Sequence, residues 1–394
     1  MRLRLRGLEF RERLAASIPE AALIRLDTFD QIATNVGAID PITAGAYQAY
    51  AVRLALDAGE RGRIVRALAK EACFVALGGV RAIGRAREVV ARVRRLVVPG
   101  QHDHAAWAAT AAGFVAFLTG AFDEAYPHLL DAERRFTAGP VRHFAGLLSV
   151  RLFRLNAARQ LGSFAEIHRS LDGYLRDAVH RGDRHAQNTL TRAQNIAWLV
   201  EDNPGEARRR IDASTWVAPT RGLHQQHLYD LFARIDLALY TGDRDEQARL
   251  LAEAERIGRS LLVRVQSNRC FTHHAIGRLA LALAEARGEP RHLALASRMA
   301  ASLGREGVLY GAQFARLIDA AVAVQRGDPR TAVTLLEATV AASGGLKLYE
   351  VLARHRLAEL GRGDVSTAAE PLRSEGVLDP ARLVQTFAPG FARR

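Results

Sequence analysis

Apolar residues recur at helical spacing through most of the chain, and short polar turns interrupt them. Two such runs flank Gly120 and set the pattern for the rest. Their apolar residues are Trp107, Ala111, Phe114 and Leu118, then Ala125, Leu129, Ala132 and Phe136. Both runs follow the 3.6-residue period of an amphipathic helix. A glycine between them allows the backbone to reverse, so the pattern predicts a helical hairpin.

Turns of this kind recur along the sequence. The predicted turn positions are Gly59, Gly120, Gly162, Asp202, Gly242, Gly288 and Gly327. Five of the six steps between them lie between 39 and 46 residues, and the longer first step leaves room for an extra helix at 81–97. Strand signals are nearly absent, because alanine, leucine, arginine and glutamate dominate and favour helix. Three turns also end in a proline that suits the first helical position, in the pairs Asn203-Pro204, Glu289-Pro290 and Asp328-Pro329.

A period near 40 residues is typical of stacked helical hairpins. One hairpin alone cannot offset an ordering cost of about 1.5 kcal/mol per residue, so each hairpin must supply core to the next. We therefore predict an all-α fold, a right-handed α-α superhelix (solenoid). It would form one array over 19–394, preceded by a basic extended segment at 1–18.

The hairpin around Gly120 partly matches the tetratricopeptide pattern, but the spacing is near 40 rather than 34 residues, so the repeats resemble degenerate tetratricopeptide repeats. The positions that match that pattern are Gly113, Gly120, Phe122, Ala125 and Ala132.

The N-terminal end carries a second pattern. Residues 19–36 predict a helix whose apolar residues lie on or near one face; they are Leu23, Leu26, Phe29, Ile32 and Val36. A basic segment with alternating Leu3 and Leu5 precedes this helix. Two interpretations remain open: this end is an interface for another protein, or Leu8 and Phe10 fold back and cap the array.

Composition narrows the class of protein. The formal net charge of +13 attracts acidic partners, but only Lys70 and Lys347 among 55 basic residues are lysine. Such a skew is typical of GC-rich coding sequences. Cys73 and Cys270 are too few for a disulfide framework and suit a reducing compartment. No signal peptide and no apolar run of bilayer length is visible, so we expect a cytoplasmic protein.

Motifs for catalysis are missing from the sequence. It has no GxxxxGK[ST] loop, no GxGxxG opening a helix, and no HRD, DFG or HExxH. We therefore expect no enzyme activity and no cofactor. Cys270, His273 and His274 lie close together, but zinc would need further ligands from elsewhere. We predict a buried cysteine beside hydrogen-bonded histidines rather than a metal site.

Two clusters are candidate partner-binding surfaces. The first consists of Arg221, His224, Gln226, His227 and Tyr229, which either bind a partner's polar groups or make ordinary hydrogen bonds between hairpins. The second is an arginine stripe of Arg81, Arg85, Arg92 and Arg95. It lies opposite an apolar face made by Ile83, Ala86, Val90, Val93 and Val97. Such a stripe is typical of a nucleic-acid or acidic-partner surface, and also of a solvated helix face.

Several stretches resemble the C-terminal helical region of large bacterial serine/threonine protein kinases, in which a kinase domain and an ATPase-like segment precede degenerate repeats. The matching stretches are RLRLRGLEFRER at 2–13, YAVRLALDAGERGRIVRALAKEA at 50–72, NIAWLVEDNPGEARR at 195–209, HQQHLYDL at 224–231, RSLLVRVQ at 259–266 and LDPARLVQTFAPGF at 378–391. The resemblance implies a regulatory appendage that binds protein, with every kinase motif upstream of Met1.

The resulting expectation is a non-catalytic protein-interaction module in signalling, with a kinase or ATPase domain as its partner. The alternative is a nucleic-acid-binding regulator that uses the arginine faces.

Overall fold

A computed structural model describes residues 7–37, 40–139, 144–213, 217 and 222–392. Every regular element in these ranges is a helix, and no strand occurs in them. The prediction of an all-α fold is confirmed. The helices pack mainly on their neighbours in sequence, as an array of hairpins does. The described chain divides into two compact units, the first ending at Arg154 and the second beginning at Leu155, and the single array over 19–394 stays a prediction.

The first unit is built from antiparallel helices of similar length. They are α1 (Glu20–Gly37), α2 (Pro41–Ala58), α3 (Arg61–Ala76), α4 (Ile83–Leu96), α5 (His102–Leu118) and α6 (Phe122–Ala138), and α7 (Phe144–Leu161) crosses the boundary between the units. Short 3-10 turns occupy Ala15–Ser17 and Gly79–Ala82. The helices predicted at 19–36 and 81–97 are therefore present as α1 and α4.

The second unit continues the same alternation. Its helices are α8 (Phe164–His180), α9 (Arg184–Ala193), α10 (Ile196–Val200), α11 (Pro204–Asp212), α12 (Gln225–Thr241), α13 (Arg244–Ile257), α14 (Gln266–Arg287), α15 (Pro290–Gly304), α16 (Leu309–Gln325), α17 (Pro329–Ala341), α18 (Lys347–Glu359), α19 (Val365–Ser374) and α20 (Pro380–Phe387). A 3-10 turn at Leu261–Arg264 precedes α14. We call α7, the pair α9 and α10, α12, α14, α16 and α18 the first helices, because each opens a hairpin.

The predicted turns are all confirmed by the backbone angles. Every one of the seven positions has a positive φ: Gly59, Gly120, Gly162, Asp202, Gly242, Gly288 and Gly327. Asp202 is the one non-glycine among the described residues with such an angle, 47°, and its short polar side chain makes this conformation accessible. An eighth turn follows at Gly361. It comes only 34 residues after Gly327, which is why a period near 40 did not predict it.

The three predicted proline positions are also confirmed, because Pro204, Pro290 and Pro329 each open a helix. Asn203 and Asp328 accept cap hydrogen bonds from backbone N–H groups, as expected. Glu289 makes no cap hydrogen bond, since glutamate is not among the residues that favour this position.

The hairpin of α5 and α6 has the predicted register. Ala125 is fully buried, and Gly113 lies where the two helices come closest. A Cβ atom added at Gly113 would lie 2.6 Å from Cγ of Leu129. The ring of Trp107 packs edge-on against Phe136, with centroids 5.1 Å apart. Small residues at the crossing therefore allow the aromatic residues to fill the core on either side.

Residues 8–13 lie against the first unit. The backbone N–H of Arg13 donates to the carbonyl of Gly59 at 2.9 Å. Arg92 of α4 donates to the carbonyl of Leu8 at 2.7 Å and to the carboxylate of Glu9 at 2.9 Å. Leu8 and Phe10 are half-buried there, as the fold-back interpretation expects. Leu3 and Leu5 lie outside the described residues.

Helix α1 leaves much of its apolar stripe partly exposed. Leu26 is buried, whereas Leu23, Phe29, Ile32 and Val36 are only half-buried. A charged seam holds the helix on α3, where Asp30 accepts from Lys70 and forms an ion pair with Arg66, each at 2.9 Å. Across the described ranges, no helix is long and apolar enough to cross a membrane.

Candidate functional site

Polar side chains join equivalent positions of successive hairpins in the second unit. These hydrogen bonds link residues that are 38 positions apart, which is close to the repeat period. The pairs are Asn156 with Gln194, Asn188 with Gln226, Arg192 with Asp230, and Asp202 with Tyr240. A buried polar atom must find a partner inside the fold, and here the partner comes from the next repeat.

A buried ion cluster lies among the first helices. Asp236 of α12 is 1% exposed and accepts from Arg278 of α14 at 2.9 Å and from Arg159 of α7 at 2.6 Å. Burial by itself would raise the pKa of Asp236, but the two guanidinium charges outweigh that effect and hold the pKa below its usual value. The cluster carries one more positive than negative charge, which favours acceptors and aromatic faces nearby.

The C-terminal segment, residues 378–392, supplies hydrogen-bond acceptors and aromatic faces to this cluster and to the neighbouring first helices. Its main-chain carbonyls accept from three of the first helices: Arg278 donates to Thr386 at 3.0 Å, Arg356 to Ala388 at 2.7 Å, and Gln325 to Gly390 at 3.3 Å.

Two backbone N–H groups of the segment are also used. That of Ala392 donates to Glu285 at 2.7 Å, and that of Leu378 donates to the carbonyl of Val200 at 2.9 Å. The first helices therefore contact the main chain of this segment at residue 378 and at alternate residues from 386 to 392.

Two aromatic side chains of the segment lie against cations. The guanidinium carbons of Arg159 and Arg278 lie 5.2 and 5.8 Å from the centre of the Phe387 ring. That of Arg356 lies 4.9 Å from the centre of the Phe391 ring. These distances are within the range of cation–π attraction. Both rings are almost fully buried, so the segment contributes core as well as hydrogen bonds.

Gly390 lies in a narrow slot where its backbone conformation disfavours a side chain. Its φ is 93°, a region that side chains of L-residues avoid. A Cβ atom added there would lie 2.6 Å from Nε2 of Gln325 and 3.2 Å from Cβ of Leu281. The backbone of the segment thus comes close to α14 and α16 because residue 390 is glycine.

The first and last of these helices are in contact with each other. The hydroxyl of Tyr349, in α18, donates to the amide oxygen of Gln160 at the end of α7. Gly162 lies beside the backbone of Leu348.

The first predicted partner-binding cluster lies at the start of α12. His224 is its N-cap residue, and the backbone N–H of His224 donates to Nδ1 of His227 at 2.9 Å. Gln226 is 4% exposed and bonds to Asn188 and Thr189.

Tyr229 of this cluster is described by the structure, and Arg221 is not. Tyr229 is half-buried, and burial raises the pKa of its hydroxyl to about 12. Arg221 lies outside the described residues. The structure brings His224 and His227 together, with ring centroids 5.6 Å apart, whereas Gln226 is turned to Asn188 and Thr189.

The arginine stripe of α4 is divided between several environments. Arg81 and Arg95 are exposed, Arg85 is half-buried near Glu71, and Arg92 binds residues 8 and 9 of the chain. The buried face of the helix consists of Ala86, Val89, Val90 and Val93. Ile83 and Val97, which the sequence placed on that face, are half-buried because they lie at the two ends of the helix.

Different residues contact Cys270, His273 and His274. Cys270 is fully buried, and burial raises the pKa of its thiol to about 12. His274 stacks on Phe314 with ring centroids 3.8 Å apart, and Nδ1 of His273 lies 3.1 Å from the hydroxyl of Ser302. Within the described ranges no group of three or more histidine, cysteine, aspartate or glutamate residues could hold a metal ion.

Sequence reasoning missed the cluster of Arg159, Asp236 and Arg278. A signal was present for two of its members, because Asp236 and Arg278 each interrupt an apolar run, in RIDLALY and IGRLALALA. A charge in such a run is almost never buried without a partner, so each charge already implied an opposite charge elsewhere.

Comparison with known proteins adds no relative. A scan against protein-family models finds no match, and a search of the curated proteins finds no significant one.

Proposed function

We propose that this chain is a non-catalytic helical-repeat module that binds protein. In this proposal the hairpins form a right-handed, tetratricopeptide-like superhelix that acts in signalling, as the resemblance to the C-terminal region of bacterial serine/threonine kinases implies. One observation carries the proposal: the first helices of the second unit already hold a peptide segment through its main-chain groups. The donors lie on the first helices of three successive hairpins, α14, α16 and α18, and stacked repeats use such surfaces for binding.

Donor groups fixed on a packed scaffold favour tight binding of a peptide. Arg278, Gln325 and Arg356 lie on three different helices, and their donor groups converge on one segment. Side chains held by a packed scaffold lose little freedom when a ligand arrives, which favours affinity. Hydrogen bonds to charged donors contribute about 1.5–3 kcal/mol each, so a few such contacts suffice for specific binding.

Binding is tested with a bacterial serine/threonine kinase domain, purified together with the ATPase-like segment that follows it. Isothermal titration at about 0.1 M and 0.5 M salt should give a dissociation constant of about 1 µM or tighter at both concentrations. Heat changes no larger than those of dilution would contradict the proposal. The same preparation should neither hydrolyse labelled ATP nor phosphorylate a generic substrate. Turnover that is lost on mutating a residue of this chain would overturn the non-catalytic reading.

The exposure of Arg81 and Arg95 favours a second candidate, nucleic-acid binding by α4. Such binding should weaken steeply with salt, because each neutralised phosphate releases a counterion. Replacing both residues by glutamate should abolish it, whereas the same change at Arg209 and Arg249, two exposed arginines of the second unit, should not. Salt-independent binding of a protein, with no binding of a mixed-sequence duplex, would exclude this candidate.

A further inference from the structure

The C-terminal segment has the features of a bound peptide. Three of its main-chain carbonyls accept from the first helices, the rings of Phe387 and Phe391 lie against arginine, and Leu383 and Val384 of α20 are fully buried beside them. The segment is connected to α19 through an exposed turn at Gly376, where an added Cβ would meet nothing within 4 Å. Leu378, the first residue of the segment, is 71% exposed. The connection therefore faces solvent at Gly376 and Leu378, whereas Val377 between them is buried.

The buried guanidinium groups beside the segment also need hydrogen-bond acceptors. Arg159 and Arg278 share the single carboxylate of Asp236, and Arg278 also donates to the carbonyl of Thr386. Arg356 likewise donates twice to the carbonyl of Ala388. A buried guanidinium without its acceptor is costly, so the surface formed by the first helices must keep some peptide in place.

We propose that the first helices of the second unit form a peptide-binding groove that residues 378–392 occupy in cis. The groove would accept an external peptide of the same chemistry: two aromatic residues four positions apart, with a glycine directly before the second. The chain's own segment then acts as an autoinhibitory ligand that such a partner must displace. This inference rests on the proposed function, because it identifies the ligand class of the same protein-binding module.

Affinity and selectivity come from different contacts of the segment. Main-chain bonds to Thr386, Ala388 and Gly390 hold any sequence that can adopt this path. Selectivity comes from the ring of Phe387 between two guanidinium groups and from the slot at Gly390. A peptide with a side chain at the glycine position would clash with α14 and α16.

The test uses the full chain, folded first and cut afterwards. A protease site is inserted after Gly376, which is exposed, and the folded protein is cleaved there. A fluorescent synthetic peptide of residues 377–394 is then added, and exchange is followed by anisotropy and native mass spectrometry. We expect the labelled peptide to replace the original fragment while far-UV circular dichroism stays that of the folded protein.

Matched peptides test the recognition. Truncating a buried phenylalanine removes a large packing contribution, so the Phe387→Ala peptide should bind about 100-fold more weakly. Gly390→Ala should weaken binding to a similar extent. The control peptide carries Ala381→Ser at an exposed position and should keep its affinity within about twofold.

Two results would overturn the inference. One is a cut fragment that cannot be exchanged, and the other is unfolding of the second unit when the fragment leaves; either would make the segment a permanent part of the core. Binding of the kinase to the uncut chain is measured in parallel. That measurement tests the proposed function separately, because the chain can bind a kinase through another surface even when the segment does not exchange.

Discussion

Replacing Gly113 by alanine tests the crossing of α5 and α6 directly. The new Cβ would lie 2.6 Å from Cγ and 2.8 Å from Cδ2 of Leu129, and 3.2 Å from its backbone nitrogen. Carbon atoms in contact prefer about 3.5–4.0 Å. The nearest atom, Cγ, moves only if the Leu129 side chain turns about χ1, and Leu129 is fully buried, so relief requires repacking of the surrounding core or separation of the helices.

The expected magnitude follows from two opposing effects. Overpacking a core costs about 1–3 kcal/mol, whereas replacing a mid-helix glycine by alanine gains about 1 kcal/mol of helix propensity. Because two contacts fall well below van der Waals distance, we place the cost at the upper end and expect a net loss of about 1–2 kcal/mol. Urea denaturation followed by far-UV circular dichroism measures it.

Two variants separate the clash from the change in propensity. Gly84→Ala lies in the same unit, and its added Cβ would meet nothing within 4 Å; it should leave stability unchanged or raise it. In a Leu129→Ala background the clash partner is gone, so Gly113→Ala should then stabilise by up to about 1 kcal/mol. Stabilisation by Gly113→Ala in the unmodified chain would refute the close crossing.

Three further predictions follow from buried groups. Ala125→Leu should destabilise the first unit by about 1–3 kcal/mol, and an unchanged melting temperature would contradict the register of its hairpin. Asp236→Asn leaves Arg159 and Arg278 without their shared charge and should cost the second unit about 3–5 kcal/mol in urea denaturation; a loss below about 1 kcal/mol would mean that the cluster is well solvated. Burial raises the pKa of Glu71 from 4.5 to about 7. Between these two pKa values the folded chain keeps a proton that the unfolded chain releases. The free energy of unfolding should therefore fall by about 1.4 kcal/mol for each unit by which the pH rises across that interval. Glu71→Gln should remove this slope in a series of urea titrations, and an unchanged slope would assign it to other groups.

Local signals explain why the helices and turns were predictable. Asn203 and Asp328 cap helices through bonds to residues three positions away, so the sequence nearby contains both partners. The turn at Gly120 needs only a residue that tolerates positive φ. The extra helix α4 was predictable for the same reason, since its apolar period is complete within a few turns.

By itself, the sequence determined the helical hairpins, their turns and the period near 40 residues, because each depends on residues close together in the chain. Only the tertiary structure decided which polar groups are used. It buried Gln226 against Asn188, paired Arg278 with Asp236, and brought Thr386 to Arg278 across 108 positions of sequence. Such contacts leave no local pattern, since the partners meet only after the intervening hairpins have stacked. For that reason the surroundings of the C-terminal segment could not be predicted from the sequence.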